Sequence, residues 1–272
     1  MNLVKAELFK IRTTSLWWIL AIVLLPLYAA SVALNWAVAA SQTGTDASGE
    51  AGGELTRTAA DPARTAAELY TSGQYMGVLI VLLLSAIIVT SEFFHLTATS
   101  TFLVTPRREA VILAKFAAAV IVSLLVWAAT TLLNLAIVPL ILSSQNVGAQ
   151  LGESTVWQAV GLNALAFVLW AVLGVGAGVL IRSQIAATLV LAILYTVGST
   201  VIQVLFDLLS NVVAEWIGSL QVLIPTVASQ LMISGVDLPG DPPRYVGALV
   251  LIGYALVGGV LGTVLTKHRD IS

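Results

Sequence analysis

The sequence predicts an all-helical integral membrane protein with six transmembrane helices, and three observations carry that reading. Of its 272 residues, 58% are hydrophobic and 10% charged, whereas soluble domains run nearer ~45–50% apolar and ~25% charged. Six windows supply the roughly 20 mostly apolar residues that a helix needs to cross a bilayer: 16–38, 70–90, 110–142, 157–181, 185–206 and 246–265. Lys and Arg gather at alternate window ends, as the positive-inside rule expects. The whole chain, 1–272, reads as a single transmembrane domain.

The lead MNLVKAELFKIRTTSLWWIL is basic and then apolar, like a secretory signal. Its apolar run continues over 15–40, longer than the roughly 7–15 residues of a signal's apolar region, so it is read as an uncleaved first span. Ahead of it, Leu3, Val4, Leu8, Phe9 and Ile11 alternate with Lys5, Glu7, Lys10 and Arg12. Val4, Leu8 and Ile11 share one helical face, which predicts an N-terminal interfacial helix. Between spans one and two, 41–69 is polar, acidic and rich in Gly and Ala, an outer loop with a helical end. The third window is long enough to tilt or to extend beyond the bilayer. Gly174 and Gly178, and Gly258 and Gly262, stand four apart, the spacing that lets helix backbones approach closely within a bundle. The segment 207–244 is apolar but broken by Glu215, Gly218, Pro225 and Ser229. It is read as short re-entrant or interfacial outer helices between spans five and six, since a seventh span would put Lys267 and Arg269 outside. With six spans and a cytoplasmic N-terminus, nine of the 12 basic residues fall inside, so both termini are expected in the cytoplasm.

Several chemistries are missing. There is no cysteine, which removes disulfides, thiolate metal sites and cysteine nucleophiles. A net charge of −2 gives no basic balance to suggest a nucleic-acid partner. The two histidines are His95 and His268. Glu92 and His95, three apart, could share a helical face, but two ligands fall short of the three or four of a zinc site. No lysine stands in the Gly-Lys-Ser/Thr context of a phosphate-binding loop. No charged residue lies in the middle of a span, against the usual pattern of proton-driven carriers. The neutral polar residues in the spans, among them Asn35, Ser85, Asn134, Asn163, Ser199, Thr200 and Gln203, are read as helix–helix hydrogen bonds, the alternative being a weakly polar substrate route. The chain is not expected to be an enzyme by itself.

The stretch SEFFHLTATSTFLVTPRREAVILAK, from Ser91 to Lys115, interrupts two apolar windows. Its first half predicts a short helix at the cytoplasmic membrane surface. Thr105 can cap a new helix with Pro106 at its first position, which places Arg107 and Arg108 in the first turn. A helix N-terminus is already partly positive, so these arginines point to an acceptor outside the helix: lipid phosphates or carboxylates on a partner.

Four segments, in order along the chain, carry a family resemblance. LVKAELFKIRTTSLWW resembles the Glu-x-x-Lys-x-Arg N-terminal helix of type 2 ATP-binding-cassette exporter permeases of bacteria, with Glu7, Lys10 and Arg12. SEFFHLTATSTFLVTPRREAVILAK resembles their linker between spans two and three, although Leu96-Thr97 stands where the family often has Gly-Thr. GVGAGVLIRSQIAA resembles the exit of the fourth span, and KHRDIS the C-terminal end. The resemblance implies a permease subunit that exports a hydrophobic or amphiphilic substrate across the bacterial cytoplasmic membrane. Its cofactors, ATP and Mg, would belong to a separate ATPase subunit present in two copies. A second permease copy or a homologous permease would complete the pathway. It further implies that the linker is a cytoplasmic coupling helix, with Glu92, His95, Thr97, Thr99, Arg107 and Arg108 as coupling residues, and that spans one, two and five line the route, with Tyr75, Met76, Ser199, Gln203 and Phe206 as candidates. Two rival expectations are a non-transporting anchor or sensor subunit and an ion-coupled carrier.

Overall fold

A computed structural model describes residues 2–44, 62–95, 108–144, 147–181, 183–214, 216–234 and 242–268. The described chain is helical throughout. In order come α1 (Asn2–Thr13), α2 (Leu16–Gly44), α3 (Pro62–Tyr70), α4 (Gln74–Phe94), α5 (Arg108–Ser144) and α6 (Ser154–Leu180). Then α7 (Gln184–Ile193) passes through a π-helical turn, Leu194–Gly198, into α8 (Ser199–Val212). After it follow α9 (Trp216–Ser219), a 3-10 turn (Leu220–Leu223), α10 (Pro225–Ile233) and α11 (Arg244–His268). Six stretches have the length and apolarity to cross a membrane: α2, α3 with α4, α5, α6, α7 with α8, and α11.

The helix ends have local causes. The chain breaks between α1 and α2 where the hydroxyls of Thr13 and Thr14 donate to the carbonyls of Phe9 and Ile11, each at 2.9 Å; such side chains offer the backbone an alternative to the helix. Lys10 and Arg12 in the last turn of α1 suit the negative end of its dipole. Gly73 adopts φ 82°, a left-handed conformation open to glycine, and so turns α3 into α4. The Ser183 side chain accepts from Ala186 N at the start of α7, and Pro225 opens α10, where its missing N–H costs nothing.

The centre of the bundle is α6, packed against α4, α5 and α11. Glycines let it sit that close. A Cβ on Gly174 would lie 2.5 Å from Leu82 O of α4, and one on Gly176 would lie 2.4 Å from Gly258 O of α11. The small-residue spacing expected within the bundle is therefore used within it, with Gly176 adding a third contact. Val78, Val81, Leu82, Phe167, Trp170 and Val175 fill this core. The most apolar window of α3 and α4 is 72% buried, against 11% for α2, so α4 is interior and α2 peripheral.

The structure moves three sequence-based boundaries. Span five ends at Val212, not at 206: Asp207 does not stop the helix, because Asn211 Nδ2 donates to its carbonyl at 2.8 Å and Gln221 Nε2 to its carboxylate. The outer loop assigned to 41–69 gives up both its ends, the first to α2 as far as Gly44 and the last to α3. There Ala66, Ala67, Leu69 and Tyr70 are buried, and Tyr70 Oη donates to Ala149 O at 2.9 Å. Beyond α8, the chain from Trp216 to Leu223 meets Pro225–Ile233 at 92°. Each arm is roughly 12–14 Å long at 1.5 Å per residue, too short alone for a hydrocarbon core of ~30 Å.

Candidate functional site

Four charged side chains from three helices meet at the end of the bundle where α1 lies. Glu7 comes from α1, Glu92 from the last turn of α4 and Lys115 from the second turn of α5; Lys10, one turn after Glu7, closes the group. Lys115 Nζ lies 2.9 Å from Glu7 Oε2 and 2.9 Å from Glu92 Oε1, and donates to Ile88 O at 3.2 Å. The Lys115 ammonium thus donates two hydrogen bonds, to Glu7 and to the Ile88 carbonyl, and forms an ion pair with Glu92. Lys10 Nζ lies 2.8 Å from Glu7 Oε1 and 2.7 Å from Glu92 Oε1. Two carboxylates and two ammonium groups cancel. The Lys115 side chain is 4% exposed and both glutamates 7%, whereas that of Lys10 is 47% exposed. Burial alone would lower the pKa of Lys10, but the hydrogen bonds and charges of Glu7 and Glu92 outweigh it and hold it above its usual 10.5.

This cluster ties α1 to the two helices that flank residues 96–107. Val89, Phe93, Val111, Ile112 and Val179 surround it, leaving a cavity of only about 30 Å³, room for about one water. A buried ion pair needs its remaining polar atoms satisfied to offset desolvation, and the ring of contacts does that.

The structure separates the residues assigned to coupling. Glu92 is buried, and its carboxylate meets Lys10 and Lys115 inside the cluster. His95 is exposed, its ring edge-on to Phe94 with centroids 5.1 Å apart, and it does not join Glu92. Thr97, Thr99 and Arg107 lie outside the described residues, as does the side chain of Arg108. In α1, Lys5 and Arg12 are exposed, but Glu7 is buried rather than facing a membrane surface. Sequence reading gave Lys115 no part in a charge cluster. The available signal was its position inside an apolar window, where a charged side chain requires a partner. No group of three or more metal-ligating side chains occurs among the described residues.

The opposite end, where α3 lies, is polar but differently built. Asn134 Nδ2 donates to Tyr70 O and Ser72 O at 2.8 and 3.0 Å, and its Oδ1 accepts from Tyr28 Oη at 2.7 Å. Asn134 thus makes the helix–helix bonds expected of it. Asn163 differs: its Oδ1 is buried with no partner. Of the five pathway candidates, Tyr75 lines a cavity of about 960 Å³, together with Asn35, Gln74, Trp216 and Gln230. Met76, Ser199, Gln203 and Phe206 do not line it. Tyr75 and Tyr195 pack with ring centroids 4.8 Å apart. Tyr195 Oη donates to Tyr75 O at 2.7 Å, and Tyr75 Oη to Tyr195 O at 3.4 Å. Ser199 Oγ also donates to Tyr195 O. Tyr195 lies within the π-helical turn, a feature that sequence periodicity did not reveal and one frequent at functional sites. No family model matches this chain, and no curated protein matches it in sequence.

Proposed function

We propose that this chain is the permease subunit of an ATP-driven exporter of hydrophobic or amphiphilic molecules, working in the bacterial cytoplasmic membrane with a separate ATPase. The observation that supports this best is the buried Glu7–Lys10–Glu92–Lys115 cluster. A coupling segment must transmit a push to the spans without absorbing it. The segment 96–107 joins α4 to α5 in sequence, and both of these helices are fastened to α1. Force applied to the segment or to α1 would therefore reach α4, the most buried span, and through the glycine-lined seam α6.

In this reading both termini and the cluster face the cytoplasm, and α1 lies along the membrane surface. The bent α9–α10 unit is re-entrant on the outer side. Two ATPase subunits, carrying ATP and Mg, dock beneath 96–107, and a second permease copy completes the route. Transport then rests on differential affinity for ligand in two states of the spans, not on chemistry in this chain. The buried charges compensate one another at one end of the bundle rather than lining a route, which favours this reading over an ion-coupled carrier.

The test uses the full chain, tagged and isolated from its native membrane. An ATPase with a phosphate-binding loop should co-purify, and its hydrolysis should rise on reconstitution. Arg107→Glu combined with Arg108→Glu should abolish both effects. Unchanged co-purification and stimulation in that variant would remove 96–107 as the coupling surface. Transport that persists without the ATPase and collapses with the proton gradient would refute the function itself.

A further inference from the structure

The cavity beside Tyr75 lies at the other end of α4 from the ion cluster, roughly 27 Å away along the helix at 1.5 Å per residue. Its volume of about 960 Å³ falls within the ~300–1,000 Å³ of small-molecule sites. Its lining is unusual for a chain in which 10% of residues are charged and 58% are hydrophobic. Four carboxamides, Asn35, Gln74, Gln221 and Gln230, line it with two aromatic residues, Tyr75 and Trp216. Asn35 Nδ2 already donates to Ser72 Oγ, Gln74 Nε2 to Ser229 Oγ and Gln221 Nε2 to the Asp207 carboxylate. That leaves their remaining amide atoms and the whole of the exposed Gln230 amide for a ligand. The two charged residues lining it, Arg64 and Glu68, pair with each other at 2.9 Å, so the lining carries no net charge. A carboxamide both donates and accepts hydrogen bonds, as a hydroxyl group does. Aromatic side chains offer an apolar face with a polar rim.

From this lining we infer that the cavity is a binding site for the uncharged, hydroxyl-bearing head group of an amphiphile, the carboxamides meeting the hydroxyls and the rings packing on carbon–hydrogen faces. An anionic head finds only Arg64, whose charge Glu68 already offsets, and a cationic head finds only the same pair reversed. Tyr75 belongs both to this lining and to the Tyr195 contact at the π-helical turn, so an occupant would press on the helix pair that joins α4 to span five. The site is distinct from the coupling surface, and binding is read in the isolated chain without any ATPase.

The absence of cysteine gives a clean reporter. Ser219→Cys places a thiol on the cavity wall, and Glu153→Cys places one on an exposed position outside that lining. Each full-length variant is set in phosphatidylcholine nanodiscs and labelled with a water-soluble maleimide. Adding monoglucosyl diacylglycerol should slow labelling at 219 saturably, by about tenfold at about nine-tenths occupancy, and leave 153 unchanged. Phosphatidylglycerol should have no such effect. Asn35→Ala with Gln230→Ala should lose the protection, and Gln230→Ala alone, at an exposed side chain, should weaken it while melting stays unchanged. The inference is overturned by absence of protection from the glucolipid, by equal protection from phosphatidylglycerol, or by protection that survives in the double variant.

Discussion

Lys115 directs its whole ammonium group inside the protein, with hydrogen bonds to Glu7 and Ile88 O and an ion pair with Glu92, and this fixes what its loss would do. Lys115→Met leaves Glu7 and Glu92 with the half-exposed Lys10 as their remaining partner in the cluster. Removing one member of a buried ionic group typically costs ~3–5 kcal/mol, because the charge left behind stays desolvated. The variant should therefore melt well below the parent in detergent. Adding Glu92→Gln removes one of the stranded charges and should recover part of the loss, with a coupling of ~0.5–3 kcal/mol between the two sites. Strict additivity in that double-mutant cycle, read from thermal or denaturant unfolding, would show that the residues do not act as one unit. The sequence displayed each of these charges but not their meeting. Glu7 and Lys115 are 108 positions apart, and charge counting places both on the same side of the membrane without pairing them.

At the scale of the helix, the cluster makes α1 a fastened element rather than a loose surface helix. Its polar face is held by Lys10 as well as by Lys115, and Lys10 is the partner that water reaches. Because its pKa is raised in the folded state, its contribution is complete below about 10.5, its ordinary value. That contribution is lost as pH climbs through the higher native value. A dye attached at neutral pH to a Phe9→Cys variant should report this as a fall in anisotropy above pH 10.5. Lys10→Arg, whose guanidinium keeps its proton, should hold the anisotropy level over the same range. A fall at the same pH in both chains would mean that Lys10 is not the group responsible.

The elements themselves were mostly legible, because twenty apolar residues in a row leave a buried backbone no alternative to a helix. What periodicity could not convey was their inequality. The α4 window and the α2 window are both apolar, yet Val78, Val81 and Leu82 are core while Leu25 and Leu34 are exposed. A bilayer and a protein interior ask for the same residue types. The π-helical turn was hidden for a similar reason: Leu194–Gly198 is as apolar as its flanks, and the register change shows in the backbone, where Ser199 N donates to Leu194 O five residues back. The small helix α3 shows the converse, since a segment averaging polar and loop-like buries Leu69 and Tyr70 on one face.

For the whole molecule, the two polar ends differ in kind, and that difference can be turned into a topology experiment. One end holds a closed ring of opposite charges with almost no free volume, and the other holds a neutral cavity of about 960 Å³. Six crossings put α1 and the end of α11 on one side and α3 on the other. A seventh, made from the bent pair at 92°, would part α1 from the end of α11. Single cysteines at Lys5, at Glu68 and added after Ser272 distinguish these arrangements in intact cells. An impermeant maleimide should label the cysteine at Glu68 from outside, and should label the other two only after the membrane is opened. Labelling of the C-terminal cysteine in intact cells would establish the seventh crossing. It would also carry the far end of α11 away from the ion cluster. That outcome conflicts with the packing, because Gly262, near that end, sits against both Gly176 and Phe116, the neighbour of Lys115. The contact that closes the α6–α11 seam thus favours an even number of crossings in the proposed topology, and labelling at the added C-terminal cysteine is the measurement that decides it.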